Sequence, residues 1–473
     1  MNCVRARYWL LLGFTVALST IAISFAEAAL PDDAYSYYAF GVGFQDLEDY
    51  DQAIANYDKA IDLDPRYAKA YYGRGLAYAQ KGDLAKAQKD LDRAIAFDPS
   101  LSKAYVNRGI VLLQLGKPNE AVADLDKAVA LKPNNPDLYV DRGQARRRTG
   151  DIAGALEDYN RAIDIDPYSG GAYAARGLAR LDAEDAAGAI ADFNKQIELK
   201  HGVPQAYNHL GVAYERSGDR KKAIEAYGKA IELDPENSAA WRNRAGARLA
   251  NGDLTGAAAD YSKLIERSPE DAQAYLARAQ VSVQLKELNA AVHDYQRALD
   301  LSEDLPIAET APMRRNLAQL RVQQGAGEAA IADYTQLIAQ QPDDADAYTQ
   351  RAILFWKAGR KEDALADYAR LITLQPDDAQ VWYNRGLLRL ELGDLDGSIE
   401  DSTRAIALRP GLAQAYANRA SARGRKADLD GTVADLEQGI VYADSNLKKK
   451  LQAQLEQVRA QRSQSTAAKL PES

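Results

Sequence analysis

The chain is short of the residues that carry most nucleophilic and metal chemistry. It has one cysteine, three histidines and two methionines in 473 residues. Cys3 lies before an apolar run and is not placed like a lipid-modified cysteine, and without a second cysteine no disulfide framework exists, so stability has to come from packing. His201, His209 and His293 are scattered, and neither zinc-ligand spacing nor a phosphate-binding glycine loop is present. An excess of positive charge is missing too: the formal net charge is −9 and the pI about 5.2, without the broad positive field of a nucleic-acid binder. The expectation is therefore no enzyme, no catalytic residues, no cofactor, no metal and no nucleic-acid partner.

The first residues differ from the rest. Arg5 and Arg7 precede an uncharged run from Tyr8 to Phe25, followed by Ala26-Glu27-Ala28. A basic start, an apolar stretch and an A-x-A site read as a signal peptide over residues 1–28. Export, to the periplasm of a Gram-negative bacterium, is the expectation; the alternative is an uncleaved leader that anchors the protein in the inner membrane. No later stretch is long and apolar enough to span a bilayer, so no span remains after cleavage.

What the sequence has in abundance is repetition. Pro31, Pro65, Pro99, Pro133, Pro167, Pro235, Pro269, Pro342, Pro376 and Pro410 are spaced by 34 residues or its multiple, except between 269 and 342. His201 and Glu303 fill missing proline slots, and Pro306–Thr310 is a five-residue insertion. Within Ala68–Leu101, apolar and small residues recur twice at helical spacing around Gly82-Asp83, a pair suited to ending one helix and capping the next. Each unit is thus a helical hairpin. Its fourth position is aromatic in eleven of twelve repeats, its eighth and twentieth are small (Gly75, Ala87), and an aromatic such as Tyr159 comes late in the second helix.

That pattern resembles the tetratricopeptide repeat. The resemblance covers nearly the whole sequence after the leader and implies an all-α, right-handed superhelical solenoid of twelve 34-residue helix-turn-helix repeats, first helices lining a concave groove. The expected organisation is repeats 1–8 over residues 34–305, the insertion at 306–310 as a hinge or rigid loop, and repeats 9–12 over 311–446. A capping helix at 447–462 and a disordered tail at 463–473 complete it.

Where the family pattern has leucine at the seventh position, this sequence has Arg74, Arg108, Arg142, Arg176, Arg244, Arg278, Arg351, Arg385 and Arg419. The twenty-third position of the same nine repeats supplies Asp90, Asp124, Asp158, Asp192, Asp260, Asp294, Asp367, Asp401 and Asp435. Where the seventh residue is Phe40 or Leu210 the twenty-third is Asn56 or Ala226; only Leu317 with Asp333 breaks the rule. A charge leaving water needs a partner, so an Arg–Asp bridge inside each repeat is expected. The alternative is a ladder of arginines that binds an anionic ligand.

Family geometry implies a groove lined by variable positions of the first helices. Candidate binding residues are Tyr35, Tyr38, Lys69, Tyr72, Lys103, Asn107, Arg147, Arg148, Asn208, His209, Arg216, Arg242, Asn243, Arg315, Trp356, Lys357, Tyr383, Asn384 and Asn418. The carboxylate clamp of chaperone-binding relatives is not matched, because Asp137 and Asp141 stand where that clamp wants cations. The reading is a protein-interaction scaffold of the bacterial envelope that takes a peptide or protein in the groove. The competing reading is a structural or glycan-associated envelope component.

Overall fold

The computed structural model describes residues 33–199 and 204–467, which contain 25 helices and no strand. The leader at 1–28 and His201 lie outside the described residues. The described residues fall into two compact units, the chain dividing between Asn251 and Gly252.

In the first unit, hairpins form from α1 (Ala34–Asp46) and α2 (Tyr50–Leu63), α3 (Ala68–Gln80) and α4 (Leu84–Phe97), and α5 (Ser102–Gln114) and α6 (Pro118–Leu131). They continue with α7 (Pro136–Thr149) and α8 (Ile152–Ile165), α9 (Gly170–Asp182) and α10 (Ala186–Leu199), α11 (Pro204–Arg216) and α12 (Arg220–Leu233), then α13 (Ser238–Ala250). The second unit holds α14 (Leu254–Arg267), α15 (Ala272–Gln284) with α16 (Leu288–Asp300), and α17 (Ile307–Gln323) with α18 (Gly327–Gln340). After these come α19 (Ala345–Lys357) with α20 (Lys361–Leu374), α21 (Ala379–Leu392) with α22 (Leu395–Leu408), α23 (Ala413–Arg425) with α24 (Leu429–Tyr442), and α25 (Ser445–Ala467). Within each unit every hairpin packs on the next, and most first helices of the first unit also touch the next first helix, which lines them up along one face.

The turn chemistry explains the hairpins. Gly82 closes α3 with φ of +81°, a conformation that costs a residue with a Cβ, and Asp83 accepts the backbone N–H of Lys86 at 3.1 Å. The same slot is left-handed in Glu48, Glu184, Lys286 and Ala427, so the hairpin geometry overrides residue preference there. Close approach needs the small positions: Ala53, Ala87, Ala121 and Ala155 are fully buried, and a Cβ on Gly143 would sit 2.6 Å from the Tyr159 ring.

Two expectations need correction. The inserted residues Ile307–Thr310 are not a loop: they form the first turn of α17, which begins after Pro306 and buries Thr310, Ala311 and Met313. Proline at the N-terminal boundary favours this, since its missing N–H would be unsatisfied there in any helix. The last helix runs to Ala467, past the expected start of the disordered tail; residues 468–473 lie outside the described residues. Leu451 and Leu455 of α25 are buried against Val433 and Leu436, closing the last hairpin's apolar face.

Candidate functional site

The repeated arginines project from the first helix towards the second. In the first unit Arg74 donates from Nε to Asp90 at 2.7 Å and from Nη2 at 2.8 Å, a two-pronged contact repeated by Arg108 with Asp124, Arg142 with Asp158 and Arg176 with Asp192. In the second unit Arg278–Asp294, Arg351–Asp367, Arg385–Asp401 and Arg419–Asp435 do the same. Arg244 and Asp260 belong to different units. The carboxylates are buried, Asp401 completely, so each needs its cation. The aromatic three residues before the arginine lies against it, Tyr71 at 5.5 Å from Arg74 and Trp382 at 5.1 Å from Arg385.

The free Nη1 reaches the preceding hairpin, a contact that the sequence pattern does not reveal. Arg74 meets Asp58 at 2.5 Å, Arg108 meets Asp92 at 2.6 Å and Arg142 meets Asp126 at 2.8 Å. Arg176 uses Asn160, Arg278 uses Ser262, and Arg351 and Arg419 use Thr335 and Thr403. The contacts with Asp124, first, and Asp92 outweigh the opposing effect of burial and raise the Arg108 pKa above its ordinary value. A second arginine, at the eleventh position, adds to Asp158, Asp192, Asp401 and Asp435 through Arg146, Arg180, Arg389 and Arg423 at 2.8–3.0 Å. Its recurrence is readable in the sequence. The guanidinium groups are thus committed inside and between hairpins.

The other candidates lie on the first helices of the two units. Lys69, Lys103, Arg148, Arg216, Arg242 and Lys357 are exposed, as is Tyr35; Tyr38, Tyr72, Asn208, Arg315 and Tyr383 are partly covered. Several are tied to the neighbouring hairpin: Asn107 donates to the Tyr72 hydroxyl at 3.1 Å, Asn243 to Asn208 at 3.1 Å, and the Trp356 indole to Glu391 at 3.0 Å. Arg315 donates to Asp344 at 2.7 Å, and Asn384 accepts from Gln380 at 3.0 Å. Asn418 is not a surface candidate. It is buried and donates to Ser402 at 2.8 Å and Ser398 at 3.3 Å, because Ser402 replaces the usual aromatic and leaves space that Asn418 fills.

One part of this face is concave enough to hold a ligand group. Gln144, Arg147, Arg148, Tyr159, Ala175, Leu178 and Asp182 surround a cavity of about 470 Å³ between α7 and α9. Arg147 is bound to Asp182, and Arg148 reaches the Leu113 carbonyl at 3.4 Å. Tyr159 is fully buried, yet its hydroxyl has no partner among the described residues. Burial, moderated by the Arg147 charge, pushes its pKa up to about 12. On α11, His209 lies against Phe193, ring centres 5.4 Å apart, with its Nδ1 buried and unpartnered among the described residues; burial, then the charge of Arg147, lowers its pKa. Both effects favour the neutral ring.

Comparison with known proteins fits this architecture. The tetratricopeptide repeat family matches residues 106–170, 174–238, 209–272, 247–306, 315–371 and 349–413, and related repeat families match 43–82 and 68–101. No curated protein matches the sequence. Among solved structures, it is similar to MamA from Desulfovibrio magneticus, at 25% identity over 36% of this chain and 96% of that one, with a TM-score of 0.34. It is similar to YrrB, described as a TPR protein with an unusual peptide-binding site, at 25% identity over 39% of this chain and 95% of that one, TM-score 0.34. A repeat protein from Parabacteroides merdae is similar at 22% identity over 50% and 93%, TM-score 0.42. With family matches over well more than half its length, the chain belongs to the tetratricopeptide repeat family.

Proposed function

We propose that this protein is a non-catalytic interaction scaffold that binds a peptide or protein segment along the face of its first helices. The observation that carries this reading is the division of labour within each repeat. The recurring arginine, aspartate and aromatic are consumed by internal contacts, while side chains that differ between repeats stand on the first helices of each unit. Variable side chains on a rigid frame are what selective recognition requires. Repeat proteins of this family bind protein or peptide partners and are generally non-catalytic, which supports the same reading.

Export to a bacterial periplasm is part of the proposal, supported by the basic, apolar and A-x-A order of residues 1–28. Among the described residues no helix is long and apolar enough to cross a membrane.

A photo-crosslinking amino acid placed at Lys103 or Lys357, exposed on first helices, should capture the same partner in cells. The same group at Arg93 or Glu157, exposed on second helices, should not. Equal capture from both sets would sink the reading. Protease access to the protein in spheroplasts, without lysis, checks the compartment.

A further inference from the structure

We propose that the hollow between α11 and α12 receives a large apolar side chain of a partner polypeptide, with a basic residue beside it. The hollow is a second docking point, distinct from the first-helix face, and it exists because one hairpin has lost its internal pair.

Other hairpins of the first unit show what this place normally holds. The guanidinium groups of Arg74, Arg108, Arg142 and Arg176 fill the space between the two helices, each against the aromatic three residues before it and each held by the matching aspartate. The sixth hairpin keeps the aromatic, Tyr207, but has Leu210 for the arginine and Ala226 for the aspartate. Gly228 stands at the place of Asp58, Asp92 and Asp126, so a third polar side chain is missing. What remains is an open cavity of about 580 Å³ lined by these four residues and Tyr214, within the roughly 300–1,000 Å³ of small-ligand sites. Its floor can be reached: Leu210 is 5% exposed, whereas Leu317, the leucine at the same place in α17, is fully buried.

The lining selects the occupant. With Ala226 in place of the aspartate, a cation entering the floor would meet no buried carboxylate, a costly transfer. An uncharged side chain would instead gain contact with Leu210, Ala226 and the Tyr207 and Tyr214 rings, and an aromatic one can stack on either tyrosine. The rim adds the second element. Lys222 is bound to Asp219 at 2.9 Å and Lys229 to Glu232 at 2.7 Å. That leaves Glu225, exposed and in no ion pair among the described residues, as the rim charge that a partner can neutralise. An apolar anchor flanked by lysine or arginine therefore matches both parts, and an anchor of this kind in a pocket ringed by polar side chains is the usual centre of a protein interface.

The test uses the full-length protein and saturation-transfer NMR titrations with three peptides: N-acetylphenylalanyl-lysine amide, N-acetylphenylalanyl-glutamate amide and N-acetylglycyl-lysine amide. The first should bind best, the second more weakly and the third not at all. Leu210→Arg with Ala226→Asp rebuilds the pair that Arg176 and Asp192 form one hairpin earlier, so this double variant should fold, which its circular dichroism melt verifies. By filling the hollow it should weaken binding of the first peptide at least about tenfold. Glu225→Gln, at an exposed position, should leave binding of the anchor in place and narrow the difference between the first two peptides about threefold at low salt. Binding of the glycyl peptide equal to the first, no binding of either phenylalanyl peptide, undiminished binding to the double variant, or an unchanged preference in Glu225→Gln overturns the proposal. Capture at Lys103 and Lys357 reports on the first-helix face instead, so failure of that reading and failure of this one are read from different experiments.

Discussion

Arg321 holds Asp333 from one helical turn further along than the seventh-position arginines do. Its Nη1 contacts both carboxylate oxygens, at 2.7 and 2.6 Å, and its Nη2 donates to Gln296 of the preceding hairpin at 2.8 Å. The seventh position of this repeat is the fully buried Leu317, so the one break in the Arg–Asp pattern is compensated from the eleventh position. Replacing Arg321 with leucine should cost about 3–5 kcal/mol, the penalty for stranding a buried carboxylate. Adding Leu317→Arg should restore most of it by returning the pair to the geometry used elsewhere. Urea unfolding of the single and double variants checks this, and a double variant no more stable than the single would refute it.

The ordinary pairs allow a cleaner energetic test, because the sequence itself includes a repeat without one. Leu210 and Ala226 stand where Arg278 and Asp294 stand two repeats later. Asp294→Ala alone should destabilise by about 3–5 kcal/mol, since Arg278 loses both contacts. Arg278→Leu with Asp294→Ala should be much milder, and the coupling read from a double-mutant cycle should be large. Additive effects would mean that the pair contributes little.

Two glycines in first helices should respond in opposite directions. A Cβ on Gly143 meets the Tyr159 ring, so Gly143→Ala should destabilise by about 1–3 kcal/mol through overpacking. Gly246 has nothing within 4 Å of such a Cβ, so Gly246→Ala should stabilise by about 0.5–1 kcal/mol through helix propensity. Thermal melts of the two variants decide it.

Asp141 gives the stability a pH signature. Burial, then the neighbouring Asp137, raises its carboxyl pKa to about 6. For an acid whose folded pKa lies above its unfolded one, the native state holds the proton more tightly, so stability falls as pH rises between the two values. Asp141→Asn should therefore raise stability at pH 7 by on the order of 1 kcal/mol, allowing for solvent screening of a partly exposed group, and leave it nearly unchanged at pH 4. Melting temperatures of both proteins at the two pH values test the sign.

The hairpin, its caps and the Arg–Asp register were legible because each recurs, and recurrence converts a local pattern into a geometric constraint. Positions whose role depends on what another residue vacates were not. Asn418 reads as a surface asparagine until Ser402 is seen to leave space beneath it. The arginine's contact with the preceding hairpin was hidden for a different reason: aspartate supplies the acceptor only in the early repeats, and Asn160, Ser262 and Thr335 supply it later, so no one residue type recurs throughout. The insertion looked like a loop because it breaks the period, yet a helix can lengthen by a turn without disturbing the face that follows.

That variable contact grades the seams between hairpins. Those closed by Arg74, Arg108 and Arg142 join a cation to Asp58, Asp92 and Asp126, whereas those closed by Arg278, Arg351 and Arg419 end on hydroxyls, and the position matching these acceptors is Ala369 in the hairpin before Arg385. Under mechanical tension, peeling the early hairpins apart would separate opposite charges, and the force needed would fall as salt is added. In the later seams the same arginine contact joins no second charge, so any salt dependence of their rupture falls to other pairs between hairpins, such as Arg360 with Glu328 and Lys426 with Asp396.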